Sequence, residues 1–374
     1  MMTMDEIHGQ SRVVHFLLAQ VAAARPHHAY LFHGPAGVGK YTTAIALAKL
    51  LLCHDRQSDL TGKPSACGTC TSCRQIAAGS HHDLHIVTKE LARFSDDKTI
   101  RDRKLLTIPV DVLREALIEP VYRAAQLNHG KVFILDEAEL LNPTGQNLLL
   151  KTLEEPPAGT TIILVTSSED RLLPTVRSRC LRLAFSPLPP EVLSSWLDEQ
   201  VQRGEPTFAK AIGDLSDKHR AWLLTFAAGS IGTLQLALEY NLLGWAQSIL
   251  RPLDDLVSGR GDDAELGGRL ASCIDEFAKA WVERHDNASK DAANKQGAGL
   301  MWTMLAQHAR FRLGTIAPKL DPADPDAAQA MLRGWLHLID ALGNAQANLA
   351  ANANLSLTCD ELIAALRGAH AASA

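Results

Sequence analysis

No apolar run in the 374-residue sequence approaches the roughly 18–20 residues that a bilayer span needs, which predicts no membrane-spanning helix. The opening residues MMTMDEIHGQ lack a basic start followed by an apolar stretch, so no signal peptide is expected. Long low-complexity tracts are missing too. Positive charge is not in surplus: 37 Lys+Arg stand against 42 Asp+Glu, a net charge of −5. A chain that grips DNA alone is more often basic. Any nucleic-acid contact is therefore expected to be local or shared with partners. Cysteine is sparse and odd in number, at 7, and four of them cluster. That argues against a disulfide framework and for a reducing cytoplasm and a metal site. With 46% hydrophobic and 21% charged residues, the chain reads as globular, with two or three domains.

What is present centres on Lys131–Pro157, KVFILDEAELLNPTGQNLLLKTLEEPP. Val132–Leu135 is a short apolar run that suits a strand buried on both faces of a parallel sheet. Asp136 and Glu137 follow it at once, at the strand's carboxyl end, where open α/β sheets bind ligands. An Asp there can hold magnesium and a neighbouring Glu can polarise a water; a merely solvated acid pair is the plainer alternative. Asn142 is placed to cap a helix beginning at Pro143, with Leu149, Leu150 and Leu153 as its apolar stripe and Pro156–Pro157 as its stop.

Upstream, residues 5–24 carry a helical pattern and Ala29–His33 a short strand. HGPAGVGKYT then matches the phosphate-loop pattern G-x-x-x-x-G-K-[ST] at all but its last position. Gly34, Gly37 and Gly39 would let backbone N–H groups face phosphate oxygens, and Lys40 would reach the terminal phosphates. The departure is Tyr41, where a small hydroxyl should meet magnesium. Thr42 comes one step later, about 100° around the helix. The loop is expected to hold ATP or ADP with a defective magnesium shell.

Cys53, Cys67, Cys70 and Cys73 follow. Their two-residue gaps suit four thiolates on one tetrahedral zinc, structural because no ligand position stays open. An iron–sulfur cluster or a redox pair is the competing reading. His81, His82 and His85 lie nearby but are surplus to a four-sulfur site. Residues 95–104 read as a solvated charged loop, and Asp111 as the cap of a helix over about 111–127. Further strands are expected at Leu84–Val87, Thr161–Thr166 and Leu181–Ala184. Thr166 falls beside Asp136 at the sheet edge. Arg171–Cys180 holds three arginines, Arg171, Arg177 and Arg179. After the linker SPLPP come short helices over 190–245, including one near 207–215, and then an Ala- and Leu-rich helical region. Trp281, Trp302 and Trp335 read as core or interface anchors, and Cys180, Cys273 and Cys359 as small buried hydrophobes.

Taken together, the phosphate loop, the four-cysteine insert, DEAE, LLKTLEEPP and Ser178-Arg179-Cys180, in that order, resemble the bacterial clamp-loader AAA+ subunits. The resemblance covers roughly residues 5–184. It implies an α/β plus all-α chain. An AAA+ parallel sheet with a zinc insert would occupy 1–186, a small helical lid 187–245, and a helical collar 246–374. It implies nucleotide contacts at Gly34, Gly37, Gly39, Lys40, Thr42, Asp136, Glu137 and Thr166. Arg179 would reach into a neighbouring subunit's ATP site. Partners would be gamma/tau and delta subunits in a hetero-pentamer, with the sliding clamp and primed DNA met through the complex. Within the family, the motor branch (gamma/tau) resembles a full site, with a hydroxyl after the lysine and an arginine after a GS turn. Here Tyr41 and Gly232, the latter in GSIGT, depart on both counts and favour the delta prime branch. Lys40, Asp136 and Glu137 keep an autonomous ATPase motor open as the alternative. A zinc-dependent DNA-binding module is a third reading, against which the net charge of −5 speaks.

Overall fold

In a computed structural model of the chain, the described residues are 3–60, 62–94, 107–127, 129–203, 216–261, 263–285, 289–319 and 325–371. The charged stretch 95–104 and the helix expected near 207–215 lie outside them. The chain divides into two compact units, Met1–Glu205 with Ala227–Leu234, and Pro206–Phe226 with Gln235–Ala374.

Seven strands are described in the first unit: β1 Ala29–His33, β2 Gln57–Ser58, β3 Pro64–Ser65, β4 Leu84–Val87, β5 Lys131–Leu135, β6 Thr160–Thr166 and β7 Leu181–Ala184. Five of them form one sheet in the order β4-β5-β6-β1-β7, and every pairing in it is parallel. The two short strands β2 and β3 make a separate antiparallel hairpin. β5 and β6 are buried at every position, as their unbroken apolar composition requires. Alternation along each strand feeds two cores. Tyr30, Phe32, Ile134 and Ile163 meet the helices Ser11–Ala22 and Lys40–Leu52 on one face. Leu31, Phe133, Leu135 and Leu164 meet Val112, Leu117, Leu149 and Leu153 on the other. The result is a three-layer α/β/α arrangement.

Helix Pro143–Glu154 starts as its sequence dictates: Asn142 Oδ1 accepts from Gly145 N at 2.8 Å and Pro143 fills the first position. Leu149 and Leu153 are buried, and Leu150 only partly. Two expected helices differ. The first begins at Ser11, not residue 5; Met4–Glu6 is a separate 3-10 turn, and Gly9 in the left-handed region breaks the run between them. The second is capped by Pro109 rather than Asp111, contains a π turn over Arg114–Ile118, and ends at Val121. Asp83 takes the backbone N–H groups of Gln126 and Leu127, both at 2.8 Å, so the chain there leaves the helical path.

The second unit is helical: Leu242–Val257, Leu266–Arg284, Lys290–Ile316, Pro325–Ala350 and Leu355–Ala371 follow one another. Leu253, Leu270, Ile274, Phe277, Met301, Leu305 and Leu338 are among its buried residues. Trp302 and Trp335 are buried with them, while Trp281 is half-buried. Cys180 and Cys359 are buried as expected, but Cys273 is only half-buried. Among the described residues, no helix is long and apolar enough to cross a membrane.

Candidate functional site

The loop between β1 and the helix Lys40–Leu52 lies at the carboxyl ends of the parallel strands. Gly34, Gly37 and Gly39 all take positive φ, at 138°, 71° and 98°. A side chain at Gly34 would begin 2.1 Å from the Phe185 carbonyl oxygen, so only glycine allows this close approach. Lys40 is buried, and its ammonium donates to the carbonyls of Gly34 at 2.6 Å and Pro35 at 2.5 Å. Burial pushes the Lys40 pKa down, and the charges of Glu139 and Asp136 push it partly back up. Tyr41 is partly exposed, Thr42 is half-buried, and Thr43 Oγ1 donates back to the Gly39 carbonyl at 2.8 Å. Tyr41 also feels Asp136: burial first, then that carboxylate, raise its pKa.

β5 delivers the acids. Asp136 accepts from Glu137 N at 3.0 Å. Its pKa is raised to about 6, first by burial and further by Glu137 and Glu139. Glu137 sits in the left-handed region at φ 50° and ψ 45°, a costly conformation for a residue with a side chain. Its carboxylate pairs with Lys89 Nζ at 2.8 Å, two residues beyond the end of β4. Thr166, buried at the end of β6, accepts from Ser168 N at 3.1 Å.

Besides Lys89, two site residues were not singled out by the sequence. Glu139, the last letter of DEAE, is buried, and its Oε1 accepts from Ser167 N at 3.1 Å and from Ser167 Oγ. Those hydrogen bonds outweigh burial and lower its pKa. It joins the end of β5 to the end of β6 beside Lys40. The only sequence signal is a third acid in the same short run. Gln146 is the other. Its amide donates to the carbonyls of Leu141 at 3.0 Å and Arg171 at 3.1 Å, and it accepts from Leu173 N at 2.6 Å.

The GSIGT turn reaches the phosphate loop itself. Gly232 N donates to the Gly37 carbonyl at 3.0 Å, and a Cβ on Gly232 would stand 2.9 Å from Gly37 Cα. A Cβ on Gly37 would meet Ser230 Oγ at 2.3 Å. The two glycine backbones touch, so no larger residue fits at 232 without moving the loop.

Arg179 is elsewhere. It stands two residues before the amino end of β7, whereas Lys40 and Asp136 come after the carboxyl ends of β1 and β5 and Thr166 ends β6. The five residues of β1, at ~3.3 Å each, put about 16 Å of strand between the two edges. The Arg179 side chain is 32% exposed; its Nε donates to Glu154 at 2.6 Å and its Nη1 to the Thr175 carbonyl at 2.8 Å. Arg177 pairs loosely with Asp170 at 3.4 Å.

The four cysteines converge. Their sulfurs lie within 4.8 Å of one another, with Cys53 Sγ 3.6 Å from Cys67 and 3.9 Å from Cys70. Four thiolates around one zinc stand about 3.8 Å apart, from Zn–S bonds of about 2.3 Å. Backbone N–H groups of Cys67, Cys70 and Cys73 donate to the sulfurs of Cys53, Cys67 and Cys70 at 3.3, 3.3 and 3.4 Å, which favours thiolates. The Cys70 N–H leads in drawing the Cys67 thiol down to about 6, while burial pushes Cys73 up to about 12. The donor set and spacing fit a metal ion. His81 instead hydrogen-bonds Ser72 Oγ at 2.8 Å, His82 is exposed, and His85 stacks on Phe133.

Comparison with known proteins falls on this same half. Residues 9–189 match the family model described as DNA polymerase III, delta subunit. The chain is 37% identical over 221 residues to the DNA polymerase III subunit delta' of Pseudomonas aeruginosa, covering 59% of this chain and 58% of that protein. It is 35% identical over 191 residues to the delta' subunit of Bacillus subtilis, covering 51% and 52%. A DNA polymerase III subunit gamma/tau of Mycobacterium bovis is 34% identical over 302 residues, covering 75% of this chain and 48% of that one. The chain thus spans about half the length of the curated relatives it matches. The similarity is to subunits of DNA polymerase III, and it is stronger to those named delta' than to the gamma/tau subunit.

Proposed function

We propose, from the premise that residues 9–189 form a clamp-loader-like AAA+ core similar to delta' subunits, that this chain is itself a delta prime-type subunit of a replicative DNA polymerase III clamp loader. It would work in the cytoplasm, in a hetero-pentamer with gamma/tau and delta subunits, helping to place a ring-shaped sliding clamp on primed DNA. It carries no polymerase chemistry of its own. Its catalytic contribution is Arg179, offered in trans to a neighbour's triphosphate.

The observation that carries this reading is the position of Arg179. It stands at the opposite edge of the sheet from its own phosphate loop, farther than one side chain spans. A γ-phosphate that it meets must belong to another chain. There its guanidinium would stabilise charge on the transferring group, an effect worth roughly 10³–10⁵ in rate in other NTPases. The chain's own pocket would bind ATP or ADP through Gly34, Gly37, Gly39 and Lys40, with Asp136, Glu137, Thr42 and Thr166 around it. When bound, magnesium would neutralise phosphate charge. Asp136 is its natural ligand here, but Tyr41 offers no small hydroxyl. At 232, contact with Gly37 leaves no room for an arginine. Cys53, Cys67, Cys70 and Cys73 would hold a structural zinc that stiffens the segment after the loop helix.

The test is Arg179→Ala in the assembled loader. DNA-stimulated ATP turnover should fall by several-fold or more while the complex still assembles; an unchanged rate would remove the trans role. One observation favours a second reading, an autonomous motor of the gamma/tau kind: Lys40, Asp136 and Glu137 all stand at one sheet edge. That reading requires turnover by the isolated chain that is lost in Lys40→Ala. The delta prime reading expects little or none.

A further inference from the structure

Glu154 stands where helix electrostatics disfavour it. Helix Pro143–Glu154 ends on this acid, Glu155 follows as its C-cap, and Lys151 is the base in the last turn. A helix carboxyl terminus carries partial negative charge, so an acid there is disfavoured. Violations of local preference concentrate at functional sites. What Glu154 gains is Arg179: Nε donates to its Oε1 at 2.6 Å, and Nη2 lies against the same oxygen.

This contact does little for stability. The two side chains are 32% and 47% exposed, and ion pairs in contact with solvent add little to stability. Its supports, by contrast, are rigid. Leu153 is fully buried, and its carbonyl meets His28 Nε2 at 3.1 Å, fixing the helix end against the start of β1. Arg179 N donates to the Val176 carbonyl at 3.2 Å, and Nη1 reaches the Thr175 carbonyl at 2.8 Å. A guanidinium carries five N–H groups, two on each Nη. These contacts orient the group while leaving N–H groups on both Nη atoms for an acceptor outside the chain.

We infer that Glu154 is the positioning residue for Arg179: it grips the Nε side and so presents the two Nη atoms as a preset fork for a phosphate oxygen of an adjoining subunit. The inference rests on the trans-arginine reading above. Bidentate recognition of phosphate depends on fork orientation, and a side chain held in place loses less freedom when it engages.

The experiment compares assembled loaders containing the full chain with Glu154→Gln, Arg179→Ala, or both. Glu154→Gln should lower kcat for ATP about three- to tenfold at unchanged KM, short of the roughly 10²-fold that a 1 Å misplacement can cost. In the Arg179→Ala background the second change should do nothing more. The thermal midpoint of the Glu154→Gln chain, measured alone, should stay where it was, which separates positioning from folding. If Arg179→Ala is slow but Glu154→Gln turns over at the original rate or faster, Glu154 does not position the arginine. Additive losses in the double variant overturn the inference as well. If Arg179→Ala itself is unimpaired, the trans-arginine reading fails first and takes this inference with it.

Discussion

The two edges of one sheet are built differently. At the carboxyl edge, glycine backbones touch, Lys40 is buried, and Glu139 binds one strand end to the next. At the amino edge, Arg179 stands partly in solvent, paired with Glu154. At the carboxyl edge the residue after Lys40 is Tyr41 rather than a small hydroxyl, and the turn that touches the loop offers Gly232 rather than a cation. The amino edge presents Arg179 at the surface, away from the phosphate loop. A site that turns over its own substrate needs acid, cation and metal ligand converging on one point. Here the converging groups and the Arg179 guanidinium are a strand's length apart, which is the separation that the proposed function requires of a chain that binds nucleotide at one edge and lends an arginine at the other.

The largest test of that contrast is metal removal. Cys53 caps the helix that begins at Lys40, so a metal at the four sulfurs ties down the far end of the phosphate-loop helix. Stripping it should remove on the order of 10 kcal/mol of local folding energy. Hydrogen exchange should then rise over 53–77 and stay low in β6 and β7. Equal loss of protection at both edges would show that they are not mechanically separate.

Next comes the half-buried acid Asp136. Asp136 titrates at about 6 in the folded chain against an ordinary 3.8. Between those values the folded state binds more protons than the unfolded one, so stability falls as pH rises through that window. Asp136→Asn removes the charge that burial penalises. It should stabilise the chain at pH 8 by at most about 3 kcal/mol, and the gain should vanish as pH falls below about 4. Urea midpoints at the two pH values measure it. A gain independent of pH would mean that Asp136 is not the strained charge of this edge.

Gly232→Arg would supply the arginine after the GS turn that the resemblance to the motor branch leads one to expect. Its Cβ would start 2.9 Å from Gly37 Cα, so the loop backbone must yield. Overpacking of this kind costs about 1–3 kcal/mol. The variant should unfold at lower urea and should not gain turnover. A stable, active Gly232→Arg would mean that the carboxyl edge is an incomplete motor site rather than a closed one.

Much of this was legible because it is local. The apolar runs at 29–33, 84–87 and 181–184 are strands with those bounds, and Asn142 caps the helix that Pro143 opens. The expected helix start at residue 5 and the Asp111 cap failed for local reasons of another kind. Gly9 takes a left-handed φ, and Pro109, fixed in an extended conformation, caps the helix before Asp111 can. Lys89, Glu139 and Gln146 were invisible because their roles are tertiary. Nothing in DEAE says that its last acid will bind Ser167, 28 residues on, or that the Lys89 side chain will meet Glu137 across 48 residues. The helix-end acid Glu154 was readable as an oddity, but its partner at 179 required the fold.

The smallest effect is the most telling about the amino edge. Arg179→Ala, measured on the isolated chain, should change stability by less than about 1 kcal/mol, because the side chain is exposed and its pair with Glu154 is solvated. It also frees a carboxylate at a helix end, where any residual penalty is a few tenths of that. A urea titration of the two chains should give midpoints that nearly coincide. If the variant instead lost several kcal/mol, Arg179 would be a structural strut holding the 174–180 turn onto helix Pro143–Glu154. A group needed that badly at home is not available to a neighbour's phosphate, so near-silence in this measurement is what the lending of a guanidinium requires.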